Sequence, residues 1–243
     1  MLDALIQGNI RPPQGLFEHS VQQNADLGYQ LPFADGRVYK YAKAGAGITV
    51  GHLVQAPVVD ATNDNSMAIQ TAVKADDREI KLTVPTGHAS FAVDAYAGGY
   101  IIIEAGTEIG LCRKIKGNTV FTTGAAATVT FKLRDKVGVA VAISGHTVGI
   151  IANPYNGVIT NAGTGKILGG APVDVTSAYY FWLQVRGVGP AVATAASIAV
   201  TEYVMANGAY VLKRATNLHA PIIGQAFSAF VASESGLIYY MLE

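Results

Sequence analysis

The stretch NAGTGKILGG, residues 161–170, sets Gly165 before Lys166 and so poses the question of a phosphate-cradling loop. That loop needs a glycine five residues before Gly165, and a serine or threonine after the lysine to hold magnesium. Thr160 and Ile167 stand in those places, so the stretch reads as a hairpin loop. Gly45, Gly47 and Gly51 also miss the dinucleotide-binding spacing and read as a turn. The five histidines, His19, His52, His88, His146 and His219, lie far apart, and none has a second histidine two to four residues away. No local metal-ligand spacing results. DATNDN, Asp60 to Asn65, offers oxygen ligands for calcium but lacks the glycine and distal glutamate of an EF-hand loop, so it reads as a solvated turn. Ser144 has Ala142 and His146 where a nucleophile elbow needs glycines. Cys112 is followed by Arg113 and Lys114, which lower a thiol pKa when they face it. Neighbours on a strand point to opposite sides, so a buried Cys112 beside an exposed Arg113 is the simpler reading. Glu104, Glu108 and Asp174 could serve as paired carboxylates in a glycoside hydrolase, but no spacing marks a pair. No catalytic residue, metal or cofactor is assigned.

The elements that would position these residues repeat every two positions. Ile80, Leu82 and Val84 oppose Glu79, Lys81 and Thr83; Val129, Phe131 and Leu133 oppose Thr128, Thr130, Lys132 and Arg134. Such alternation predicts strands with one buried face. VGVAVAI, with Val137, Val139, Val141 and Ile143 on one side, reads the same way. Further strands are expected at YIIIEA, NTVFTT, HTVGIIA, APVDV, AYVLKR, PIIGQAF and GLIYYML. Turns are expected at Gly98-Gly99, Gly117-Asn118, Asn156-Gly157, Gly169-Gly170 and Asn207-Gly208. NSMAIQTAVKADD suits either a strand or a short helix. No internal repeat is visible. The predicted fold is all-β: a sandwich or barrel of many short antiparallel strands.

Residues 1–36 differ. Pro12, Pro13 and the segment LPFADG oppose regular structure. They read either as an extended N-terminal arm, with Leu16, Phe17 and Phe33 buried on a neighbour, or as a loop packed on its own domain. Residues 37–243 form the β-rich body, with a sub-boundary near 90–98.

The totals narrow the function classes. Hydrophobic residues make up 50% and charged residues 14%, against about 25% charged in ordinary domains. Lys+Arg and Asp+Glu balance at 17 each, which argues against a sequence-independent hold on nucleic acid. A neutral chain does little to keep its copies apart. The lone Cys112 forms no intrachain disulfide and suits a reducing compartment. No secretory leader is read at the N-terminus, and no apolar run long enough to span a membrane is present.

YYFWLQVRGVGP, residues 179–190, contains the only tryptophan. The period of two sets Tyr179, Phe181, Leu183 and Val185 on a core face, and Tyr180, Trp182, Gln184 and Arg186 on the other. Burying a tryptophan, ~200 Å² at ~25 cal/mol/Å², contributes up to ~5 kcal/mol. The second face is therefore expected to be covered, by a sheet, an arm or another subunit, with a glycine-rich turn following. GLIYYMLE has two apolar faces, Leu237, Tyr239 and Met241 against Ile238, Tyr240 and Leu242, and so is expected to be interior or interfacial.

The order of GGYIIIEAGTEIGLCRKIKGNT, ATVTFKLRDKVGVAV, ANPYNGVI, YYFWLQVRGVGPAVA, PIIGQAFSAF and GLIYYML resembles virion structural proteins of tailed bacteriophages, as found in marine and environmental phages. The resemblance spans about residues 98–242. Family versions set Gly-Pro directly after the Gln-x-x segment, whereas Val188 and Gly189 intervene here before Pro190. The resemblance implies a capsid decoration (cement) protein. Such a protein is made in the host cytoplasm and sits on the capsid exterior of the virion. Its partners are the major capsid protein and its own copies in a homotrimer, and it needs no enzyme activity. The interface candidates are Leu16, Phe17, Phe33, Tyr180, Trp182, Arg186, Ile238 and Tyr240. The alternative is a head-fibre or tail-associated module that stacks a host glycan on Tyr180 and Trp182.

Overall fold

The computed structural model describes residues 13–60, 64–194, 197–213 and 221–242. Among them the fold is all-β, as the alternation predicts, with no helix. The chain divides into two compact units, 1–58 with 155–243, and 59–154. The second unit leaves the first after residue 58 and returns at Tyr155. The expected sub-boundary near 90–98 falls inside this second unit.

The first unit holds β1 (Gln30–Pro32), β2 (Val38–Ala44), β3 (Leu53–Gln55), β10 (Asn156–Thr160), β11 (Ile167–Gly170), β12 (Tyr180–Val192), β13 (Tyr203–Asn207), β14 (Tyr210–Lys213), β15 (Ile222–Ala226) and β16 (Ser235–Met241). They hydrogen-bond in the order β1-β2-β10-β3-β11-β12-β16-β15-β13-β14, and β2 also pairs with β12. That extra pairing closes a ring, β2-β10-β3-β11-β12, around Ala42, Val54, Val158, Leu168, Phe181 and Leu183. Closure leaves no strand edge exposed. Antiparallel pairing prevails, but β10 runs parallel to β2. A second ring, β12-β16-β15-β13-β14, is completed by a bridge from Ala193 to Val211. Its interior holds Ala191, Val204, Val211, Ile223, Ile238 and Tyr240.

One strand thus serves two barrels. Residues 180–186 of β12 pair with β2, and residues 186–192 pair with β16. The register slips between Gln184 and Arg186. There Gln184 turns inward and its amide donates to the carbonyls of Arg186 (3.2 Å) and Val188 (2.8 Å). Gly187 takes a left-handed φ of 85°, which glycine adopts without steric cost. A Cβ on Gly189 would lie 2.3 Å from the Gln184 Oε1, so only glycine leaves room for the amide. The expected turn at 187–190 is therefore a bulged strand that continues through Pro190, opposite Leu237.

The second unit is a closed barrel of β4 (Met67–Ile69), β5 (Glu79–Val84), β8 (Ala127–Leu133), β7 (Cys112–Asn118), β6 (Tyr100–Ala105) and β9 (Thr147–Ile151), in that order. Ile80, Leu82, Val84, Val129, Phe131 and Leu133 fill it, as their spacing predicts. NSMAIQTAVKADD resolves to strand and bridge. VGVAVAI does not form a strand: Val137 and Val141 are buried, while Val139 and Ile143 are exposed. Gly138 turns the chain with φ 90°. The Val137 and Gly138 amides donate to Asp77 and Ala75 instead of a neighbouring strand (2.9 and 2.8 Å). Gly117-Asn118, Asn156-Gly157 and Gly169-Gly170 lie inside strands rather than in turns. At Gly169 the reason is close approach: a Cβ would meet the Gln184 carbonyl at 2.2 Å.

An internal repeat becomes recognisable in three dimensions. Four isolated bridges pair Ile48 with Val175, Val73 with Val141, Phe91 with Phe121, and Ile198 with Phe230. In each, the two residues exchange both backbone hydrogen bonds, at 2.8–3.1 Å, and their side chains enter a core except Phe91, which packs against one partly buried. Three residues after Ile48, Phe91, Phe121, Val175, Ile198 and Phe230 stands a left-handed residue: Gly51, Asp94, Gly124, Ala178, Thr201 and Ser233. Gly51 and Ala171, which bond at 2.8 Å, correspond to Thr201 and Ala226, which bond at 2.9 Å. The bridging residues share only apolar character, but Val50, Val93 and Val200 recur two residues after Ile48, Phe91 and Ile198, and Tyr96, Tyr180 and Tyr203 five residues after Phe91, Val175 and Ile198.

Candidate functional site

The aromatic face of β12 is covered by the chain's own N-terminal segment. The Trp182 indole lies fully buried among Leu31, Phe33, Tyr39 and Tyr41, with Leu16, Ala25 and Leu27 packed alongside. Its ring meets Tyr41 edge-on at 4.9 Å, and Tyr180 stacks on Tyr41 at 6.0 Å. Trp182 Nε1 donates to the Gln14 carbonyl at 3.0 Å. The buried Gln14 side chain donates to the carbonyls of Glu18 (2.7 Å) and Tyr180 (3.0 Å) and accepts from the Tyr41 hydroxyl (2.7 Å). Burial raises the Tyr41 pKa above the usual phenol value. Ser20 bridges to Tyr180, and β1 pairs with β2.

Residues 13–36 are therefore a strap on their own unit; residues 1–12 of the expected arm lie outside the described residues. Leu16 is half-buried and Phe33 buried within this chain, whereas Phe17 is exposed. Tyr180 is half-buried and Arg186 exposed. Ile238 and Tyr240 point into the second ring, so they belong to its core and not to an outer interface. The Tyr240 hydroxyl donates to the Pro190 carbonyl at 2.7 Å, and desolvation raises its pKa far above the usual phenol range.

In the 161–166 loop the Ala162 and Thr164 amides donate to Gln55 Oε1 (2.8 and 3.3 Å) and the Gly163 amide to Asn161 Oδ1 (3.1 Å), which occupies the donors a phosphate would need. Asp64, expected in a solvated turn, is buried; residues 61–63 of that turn lie outside the described residues. Its Oδ1 takes the Tyr96 hydroxyl at 2.8 Å and faces His88 Nε2 at 3.0 Å. His88 Nδ1 lies 2.7 Å from the Ala89 carbonyl. This acid–imidazole–phenol cluster is packed against Phe91 and Phe121. Burial, then the bond to Asp64, raises the Tyr96 pKa well beyond the phenol range. Its chemistry is that of a polar clamp in a core.

Glu108 and His146 meet at 2.5 Å, with the Thr107 hydroxyl donating to the same carboxylate at 2.5 Å. The Thr107 bond, then the His146 contact, holds the Glu108 carboxyl below the usual glutamate value. Glu104 accepts the Ser66 amide at 2.7 Å, and Asp174 accepts the Val50 amide at 2.7 Å. Asp174 lies in the first unit and the two glutamates in the second. Cys112 is exposed, contrary to the buried reading. The Arg113 guanidinium donates to the carbonyls of Cys112 (2.8 Å), Lys136 (2.9 Å) and Val137 (2.5 Å). His19 lies 2.9 Å from the Asp174 carbonyl, His52 packs on Tyr210, and His219 lies outside the described residues. Among the described residues no three histidine, cysteine, aspartate or glutamate side chains gather as a metal site.

What the first unit does present is an uncharged outer sheet face. Val188, Tyr239, Gln225 and Tyr203 form one row across β12, β16, β15 and β13. Pro190 and Leu237 form the next row, beside Phe227, whose amide donates to the Leu237 carbonyl at 2.8 Å. Tyr203, Phe227, Leu237 and Met241 are exposed, and Arg186 marks one end. Phe227 is 62% exposed. The alternation in GLIYYMLE already separated Leu237, Tyr239 and Met241 from the core; Gln14, Gln55, Gln184 and Asp64 carried no local signal.

No protein-family model, curated protein or solved structure matches the chain.

Proposed function

We propose that this chain is a structural protein of a tailed-phage particle, a decoration protein that binds the outer head shell through the major capsid protein and stabilises it as a homotrimer. The observation that carries this reading is the uncharged outer face of β12, β16 and β15, with Phe227, Leu237 and Met241 exposed on a rigid sheet. A contiguous apolar patch of this kind suits a protein contact. Closed barrels suit a component that transmits load without rearranging, because their hydrogen-bonded rings have no free edge. The resemblance read in the order of segments motivates the same reading, and the neutral, weakly charged composition supports it.

The test compares head shells with and without the protein under heating and osmotic shock. Shells carrying it survive longer, and shells decorated with a Leu237→Asp, Phe227→Asp variant behave as bare ones. Equal survival of decorated and bare shells overturns the cementing role. The glycan-stacking alternative loses its platform, because Trp182 is sealed beneath the strap and Tyr180 is stacked on Tyr41.

A further inference from the structure

We propose that the outer face of β7 and β8 in the second unit is a docking surface for an acidic protein segment. Lys114 and Lys116 project from β7, and Lys132 and the following Arg134 from β8, with Lys81 alongside on β5. The strands are neighbours: Gly117 pairs with Lys132, and the Arg134 amide donates to the Lys114 carbonyl at 2.9 Å. Lys116, Lys132 and Arg134 are exposed, and Lys81 and Lys114 half-buried.

The unit bonds most of its carboxylates internally, and Arg78, Arg113 and Lys136 as well, but not this cluster of cations. Asp64, Asp76, Asp77, Asp94, Glu104 and Glu108 each accept a hydrogen bond inside it. By contrast, the side chains of Lys81, Lys116, Lys132 and Arg134 make no hydrogen bond or ion pair among the described residues. Lys114 only overlies the Tyr100 ring, at 5.9 Å. The carboxylates nearest the patch are Glu79, paired across from Lys132, Asp94, whose Oδ1 lies against Gly117, and Asp135, next to Arg134. Five cations thus face three carboxylates on a chain whose total charge is zero.

The spacing selects the partner. Alternate residues on one strand face lie about 7 Å apart, and neighbouring strands about 5 Å. An extended peptide with carboxylates at alternate positions has the same period. The barrel is closed, so no strand edge offers backbone pairing, and recognition falls to the side chains. Thr128 and Thr130 on the same face add hydroxyl donors for carboxylates. A neutral chain lacks the long-range pull that a nucleic-acid partner rewards.

The test uses the full chain and fluorescently labelled poly-L-glutamate, with single-stranded DNA of equal charge as a second arm. Binding of poly-L-glutamate at about 50 mM salt should weaken at least about tenfold at 300 mM. The Lys116→Glu, Lys132→Glu variant should lose about tenfold more with its melting temperature unchanged, and Lys116→Arg, Lys132→Arg should retain binding. Absence of binding, equal binding by the glutamate variant, or tighter binding of the DNA overturns the proposal. It does not depend on the head-shell reading, and its failure leaves that reading intact.

Discussion

The Trp182 indole N–H donates to the backbone carbonyl of Gln14, 168 residues earlier in the chain, at 3.0 Å. This bond closes the strap over β2 and β12. It also shows why the strap does not slide: its anchor is one glutamine whose side chain satisfies four further groups, the Tyr41 hydroxyl, the Asn24 side-chain amide and the carbonyls of Glu18 and Tyr180.

Truncating that anchor should release the cover. Gln14→Ala removes the acceptor of the buried Tyr41 hydroxyl and one donor each from the Glu18 and Tyr180 carbonyls, at a cost of about 1–3 kcal/mol. Because Trp182 is the only tryptophan, its fluorescence reports directly on this site. Chemical denaturation followed by tryptophan emission should show a lower midpoint and a native spectrum shifted to the red. An unchanged native spectrum would mean that the strap is held elsewhere.

The crossover in β12 makes a prediction about coupling. Gly189→Ala drives a methyl group into the Gln184 amide and should destabilise by about 1–3 kcal/mol. Adding Gln184→Ala removes the obstacle, so the double variant should lose less than the sum of the two single losses. Additive losses in a double-mutant cycle would place the strain at some other contact.

Thr201 is a β-branched residue at φ 71°, in a turn whose counterpart is Gly51 at φ 76°. A left-handed conformation costs an ordinary L-residue about 1–2 kcal/mol. Thr201→Gly relieves that cost and keeps the Thr201 amide bond to Ala226, while giving back part of the gain through unfolded-chain entropy. A net rise of about 0.5–1 kcal/mol in unfolding free energy is expected by urea titration.

Glu108 sets a pH dependence in the second unit. Its folded carboxyl lies below the usual glutamate value, because of the Thr107 hydroxyl and then His146. The stabilisation is therefore present above the unfolded carboxylate value and is lost as pH falls through the lower folded value. Melting temperatures of the wild type and Glu108→Gln should differ at pH 7 and converge in acid. Parallel curves across the range would assign the contact no role in stability.

Much of the fold was legible in local pattern. Ile80, Leu82 and Val84, or Val129, Phe131 and Leu133, alternate because one strand face meets a core, and alternation needs no knowledge of the partner strand. The failure at VGVAVAI has the same root. Val137 and Val141 are buried at a spacing of four through a turn, and neighbouring valines cannot reveal that the amides bond to residues 75 and 77. The candidate sites were less legible. Gln184 shares an alternation face with Trp182 and Tyr180, yet it turns inward because the strand bulges there.

The amino-acid order by itself determined the all-β class, the covered aromatic face of β12 and the split of GLIYYMLE into an inner and an outer row. These depend on side-chain polarity at a two-residue period, which is a property of the chain alone. Only the tertiary structure decided that the cover is the chain's own strap, that β12 is shared by two barrels, and that four bridges repeat one design. Those features rest on backbone hydrogen bonds and close packing between residues distant in sequence. A carbonyl such as that of Gln14 has the same chemistry at every position until the fold brings Trp182 to it.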